Sequence, residues 1–117
     1  MRRLTIALSA AVFAAAASPA FAAECPAPGP APTIPDGATA TQVQMDTAKQ
    51  QLQSYVNSLQ SVQDCYEARI KITQKTAKPD DLQKMRDAGN AAIDQAHAIA
   101  TAYTAQKKIF NNRAGPK

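Results

Sequence analysis

Residues 41–70 read TQVQMDTAKQQLQSYVNSLQSVQDCYEARI, and their spacing decides the fold. Met45, Ala48, Leu52, Tyr55, Leu59, Val62 and Tyr66 recur at steps of three and four, with Val56 and Ile70 beside them. At about 100° per residue they occupy a wedge of roughly 120°, the signature of an amphipathic helix. The remaining faces carry glutamines, Asn57, Asp64 and Glu67, and no period-two alternation persists that would suit a strand. Thr41 followed by Gln44 is a capping box: the hydroxyl accepts from a free N–H of the first turn, and the carboxamide reaches back to the cap. Asp46 lies toward the positive end of the helix dipole. A stripe of this regularity faces another helix.

The other helix follows at once. Lys71 and Lys75 suit a helix C-terminus, so the first helix is expected over 42–75. Pro79 with Asp80 and Asp81 opens a second, since proline fits the first turn and acids favour its dipole. Its stripe is Leu82, Met85, Gly89, Ala92, Ala96, Ile99, Tyr103 and Phe110, with Gln106 a polar exception. Asn111, Asn112 and then Gly115 and Pro116 close it near residue 112, leaving 113–117 as a disordered tail.

The tight link at 76–78 makes the pair an antiparallel, coiled-coil-like hairpin. Tyr66 then meets Gly89, Val62 meets Ala92, Leu59 meets Ala96 and Tyr55 meets Ile99. Leu52 meets Ala102 or Tyr103, and Met45 meets Phe110. Bulky side chains face small ones at the centre, which lets the backbones approach. Gly89 weakens its helix by roughly 1 kcal/mol, and a Tyr66 ring above it is the expected reason. One partner helix cannot cover Tyr55, Val56, Ile70, Ile93 and Ile109 together, so self-association to a dimer with four helices is a further expectation.

Before the hairpin, residues 23–40 contain Pro26, Pro28, Pro30, Pro32 and Pro35, which forbid a helix and favour an extended polyproline-like arm. Pro35, Asp36 and Gly37 make a turn in which glycine is expected to supply a positive φ. Residues 1–22 have the form of a secretory signal: Arg2 and Arg3, an apolar run from Leu4 to Ala17, a break at Ser18 and Pro19, then small residues. Cleavage is expected between Ala22 and Ala23, and the destination is the periplasm or the exterior. The apolar run is too short to span a bilayer, so no transmembrane segment is expected in the mature chain.

An exported chain with an even cysteine count is expected to pair Cys25 with Cys65. Sixteen extended residues from Cys25 to Thr41 span about 50 Å, and the helix from Thr41 to Cys65 rises about 36 Å, so the arm can reach. Closing a loop of about 40 residues is worth on the order of 4 kcal/mol at most, a large share for a domain this small.

Charge and chemistry exclude several functions. Removing Arg2 and Arg3 with the signal leaves eleven basic against nine acidic residues, so the formal net charge falls from +4 to +2. That balance gives no ground for nucleic-acid binding. His97 is the single histidine, and with only two cysteines no metal set is expected. Ser54, Ser58 and Ser61 lack a histidine within helical reach, and Asp64 and Glu67 lie one turn apart on a solvent face. Neither an enzyme nor a cofactor is expected. Lys107, Lys108, Arg113 and Lys117 follow the last acid, Asp94, and form a one-sided basic end suited to weak contact with anionic lipid.

Taken with the signal, Cys25, the proline spacer, the Ile34-Pro35-Asp36-Gly37 run, Tyr55, Cys65 and the closing Phe110-Asn111, the chain resembles a group of small exported bacterial helical-hairpin proteins with no assigned activity. A fainter similarity to helical periplasmic chaperone-like proteins lacks their repeated LTxxQ signature. The resemblance implies the all-α hairpin and transfers no functional residue. The function expected is a periplasmic or secreted protein-binding or scaffold module working through its helix faces. The alternative is a peripheral envelope protein using the basic end.

Overall fold

A computed structural model of the chain describes residues 25–114. The expected signal sequence, its expected cleavage between Ala22 and Ala23, and Lys117 lie outside them. Two helices make up the fold, α1 over Gln42–Thr73 and α2 over Pro79–Ala114, with no strand among the described residues. They pack along their length as an antiparallel hairpin, and an extended arm, residues 25–36, runs back along it. No described helix is long and apolar enough to cross a membrane.

The Thr41 cap forms as its sequence requires. Its hydroxyl accepts the Gln44 N–H at 3.1 Å, and the Gln44 carboxamide accepts the Thr41 N–H at 2.8 Å. Asp46 lies past the first turn and accepts instead from Gln42 Nε2 at 2.8 Å. α1 stops at Thr73, two residues before the expected end. There the Gln74 N–H still reaches the Ile70 carbonyl, and Thr76 and Ala77 turn back onto the Thr73 carbonyl.

The stripes mesh in the expected register. Leu59, Val62 and Ala92 form one buried cluster, with Tyr55, Tyr66 and Ala96 packed against it. Toward the open end Met45, Ala48, Tyr103 and Phe110 form a second, joined by Ala40, just before the Thr41 cap, and flanked by Ile34 and Leu52. Among the described residues, Met45 and Leu59 are the large side chains that are wholly buried. Val56, Ile70 and Ile93 stay half-buried, and Ile109 is 43% exposed.

Gly89 lies beside Tyr66, as the register demands, but the explanation for the glycine changes. A β-carbon there would sit 3.6 Å from Tyr66 Cβ and 3.9 Å from Gln63 Cγ, ordinary van der Waals separations. Alanine fits. Gly37 behaves oppositely. Its φ is not in the left-handed region, so the turn does not need glycine for its dihedral. It needs glycine for closeness: a β-carbon would strike the Gln106 carbonyl oxygen, and would lie 2.9 Å from that carbonyl's carbon and 3.0 Å from the Phe110 nitrogen. The turn rests directly on the backbone of α2.

Cys25 and Cys65 are bonded, with 5.7 Å between their α-carbons, and Cys25 is 8% exposed. The arm is therefore tied at both ends, by sulfur on the last third of α1, toward the closed end of the hairpin, and by Gly37 at the open end.

Two predictions follow from these ties. Replacing both cysteines by serine should lower stability by up to about 4 kcal/mol, which for a domain of this size is a fall in Tm of roughly 15–30 °C, read by thermal circular dichroism. The two glycines should separate in the same assay. Gly89→Ala should stabilise by up to about 1 kcal/mol through helix propensity, whereas Gly37→Ala should destabilise by about 2 kcal/mol or more because backbone must move.

Candidate functional site

The arm crosses one face of the hairpin and leaves a trough on each side of itself. Ala31 of the arm and Tyr55 of α1 contribute to both. On the α1 side is a cavity of about 720 Å³ between Gly29–Thr33 of the arm and Gln50, Gln51, Ser54, Tyr55 and Ser58. On the α2 side is a more apolar one of about 440 Å³, lined by Gln95, Ala98, Ile99 and Ala102.

The larger trough contains no charged residue. Helix geometry explains its polar wall. Gln51, Ser54 and Ser58 fall at steps of three and four on the flank of α1 that also carries Cys65, so the arm tied there runs along them. Most polar side chains of α1 are engaged within the helix. Gln53 bonds Asn57, Gln60 bonds Gln63 and Asp64, and Gln63 bonds Glu67. The hydroxyls of Ser58 and Ser61 donate to the carbonyls of Tyr55 and Asn57. Gln50, Gln51 and Ser54 have no side-chain partner among the described residues. The Tyr55 hydroxyl makes one long contact, 3.5 Å to Gln95 Oε1.

The opposite wall is Gly29–Thr33 of the arm. In an arm where proline alternates with other residues, half the N–H groups are missing, and the extended path forms no internal hydrogen bond. The N–H groups of Gly29, Ala31 and Thr33 have no protein acceptor among the described residues.

The open end is organised by groups that the spacing pattern did not flag. Gln106, the polar interruption in the α2 stripe, accepts the Gly37 N–H at 2.8 Å. The Asp36 carbonyl collects the N–H groups of Thr39 and Ala40, and its carboxylate takes that of Ala38. Arg113 donates one guanidinium nitrogen to the Ala38 carbonyl and the other to Ala40, both at 2.7 Å. The guanidinium carbon also stands 4.8 Å from the centre of the Phe110 ring, and Lys107 Nζ stands 5.1 Å from it. These contacts carry α2 through Asn111 and Asn112 to Ala114, so Arg113, expected in a disordered tail, is helical and bonded. Of the residues expected to meet lipid, Arg113 is thus engaged by the turn, Lys107 is half-buried over Phe110, and Lys108 is exposed.

His97 is exposed, and no group of three or more potential metal ligands occurs among the described residues. No family model, curated protein or solved structure matches the chain.

Among the described residues, one titratable group is held away from its ordinary value. Burial raises the Tyr103 phenol above 10.0, and the negative charge of Asp46 adds to this. Its hydroxyl donates to the Met45 carbonyl at 3.4 Å. The folded state therefore prefers neutral tyrosine. The stability this confers is whole below pH 10 and is lost as pH climbs through the higher folded-state value. Alkaline unfolding followed by circular dichroism should show a steeper loss above pH 10 for the native chain than for Tyr103→Phe.

Proposed function

We propose that the chain is an exported binding module whose trough between arm and α1 holds an extended, uncharged segment of a partner polypeptide. Export is supported by the signal-like pattern of residues 1–22, and the disulfide is compatible with it. The observation that carries the binding reading is the pairing of uncommitted carboxamides, Gln50 and Gln51, with an arm whose N–H groups at Gly29, Ala31 and Thr33 lack partners.

Each feature matches a peptide. A carboxamide offers one donor edge and one acceptor edge, as a peptide unit does. The arm contributes further unpaired backbone donors, and Pro30, Pro32 and Tyr55 give flat apolar surface. The absence of charge disfavours a charged segment, whose ions would lose water without gaining a counter-ion. Five arm residues at 3.1 Å each give a wall of roughly 15 Å, the length of an extended segment of about five residues. The volume lies within the range of small-ligand clefts, about 300–1,000 Å³.

The tied arm makes the trough a formed site. Because the disulfide and the Gly37 seat fix both ends, little ordering remains to oppose binding. Amide chemical-shift mapping tests this with pools of decapeptides free of Lys, Arg, Asp and Glu. Shifts should gather at Gly29, Ala31, Thr33, Gln50, Gln51 and Ser54, and Gln51→Glu should weaken the binding peptides at least tenfold. Shifts confined to other surfaces would overturn the assignment, as would equal affinity for the variant.

A further inference from the structure

α2 carries a second heptad seam. Ala91, Gln95, Ala98, Ala102, Ala105 and Ile109 recur at steps of four, three, four, three and four, and all six are exposed. At about 100° per residue the seam lies about 140° round the helix from Ala96, the centre of the stripe that meets α1. Its middle forms the floor of the apolar trough beside Ala31. Between Asp87 and Lys107 the helix has one charged residue, Asp94, on the edge of this seam.

We propose that the seam is the surface by which two copies of the chain associate, α2 against α2, antiparallel. Two features select that occupant and that direction. The first is self-complementarity. A two-fold axis beside Ala100 sets Ala98 against Ala102 of the partner subunit, Gln95 against Ala105 of the partner subunit and Ala91 against Ile109 of the partner subunit. Every position finds its counterpart within the same six, as an isologous contact requires. The one bulky member covers a methyl group, repeating the large-on-small pattern that joins α1 to α2.

The second is charge. The antiparallel arrangement brings Asp94 beside Lys108 of the partner subunit, on the same edge of the seam, and Lys108 is exposed in the hairpin. A parallel two-fold would put the two copies of Asp94 on opposite edges of the seam, with no basic residue of the other copy at their level, and would stack Ile109 on Ile109. The pairing of opposite charges therefore favours the antiparallel form.

Four alanines on the seam bring the helix axes to the near end of the usual 8–10 Å range. The contact spans 19 residues, roughly 28 Å at 1.5 Å each, and is one helix wide. An interface of that size lies at the small end of specific contacts, so the dimer should be reversible in the micromolar range. The α1 trough lies on the other side of the arm and stays open in it. The dimer therefore stands or falls apart from the peptide assignment.

Sedimentation velocity of the oxidised protein, from about 1 to 500 µM, reads the result. The native chain should pass from monomer to dimer across the series. Ala98→Arg, at the centre of the seam, should leave it monomeric throughout, with helix content unchanged by circular dichroism. Asp94→Lys should weaken association at least tenfold, and adding Lys108→Asp to it should restore the native curve. A native chain that stays monomeric overturns the proposal. So does a dimer that persists in Ala98→Arg, because it would use another surface. If Ala98→Arg loses helix, the charge pair decides: failure of Lys108→Asp to rescue Asp94→Lys overturns it.

Discussion

The bond between Cys25 and Cys65 is the constraint on which the remaining structure depends. A two-helix hairpin has one seam to bury, and here that seam contains only two fully buried large side chains, Met45 and Leu59. So little interior seldom outweighs the entropy of ordering some ninety residues. The sulfur bridge removes part of that entropy from the unfolded chain and holds the arm against the flank of α1. That placement brings Ile34 and Ala40 to the open end, where they complete the cluster around Met45 and Phe110. The arm thus extends the core, and its position follows from a covalent tie, because an alternating proline segment forms no ladder of its own.

The far end of the arm is held by a different kind of force. Gly37 lies so close to α2 that its N–H reaches Gln106 and its α-carbon rests on the helix backbone. Arg113 then clamps the next carbonyls, Ala38 and Ala40, from beyond. A guanidinium suits this task because its planar fork presents two donors at once. Phe110 supports the fork from below, and its buried ring joins the clamp to the core. Near the bridge the arm is fixed by covalency. Near the turn it is fixed by steric fit and charge-assisted hydrogen bonds.

Much of this was legible in the residues. The three-four spacing from Met45 to Tyr66, the Thr41–Gln44 box, the proline run and the cysteine pair each report a local rule. Those rules survived because nothing in the tertiary structure opposed them. Helix register was also legible, since Tyr66 beside Gly89 and Met45 near Phe110 follow from one short link. What was not legible involves contacts between the arm and α2. Gln106 looks like a flaw in a stripe until Gly37 is placed over it. Arg113 looks like a frayed end until two carbonyls, some seventy residues earlier in the chain, meet it. Gly89 misled for the opposite reason: a glycine under a tyrosine invites a packing explanation, yet the space there admits a methyl group. Of the candidate site, Tyr55 was visible as a stripe residue, but its place under Ala31 depended on the path of the arm.

That path turns one face of a plain hairpin into two unlike surfaces. Arm prolines and α1 glutamines wall a neutral, polar trough on one side. Alanines of α2 floor an apolar one on the other. Neither could exist on bare helices, because a lone helix flank is convex and offers a ligand only one wall. A third segment laid along the groove between the helices supplies the missing wall to both. Its prolines keep it extended at small entropic cost, and its ends are tied, so the two surfaces share a rigid partition centred on Ala31 and Tyr55. Anything that released the arm would abolish both surfaces together.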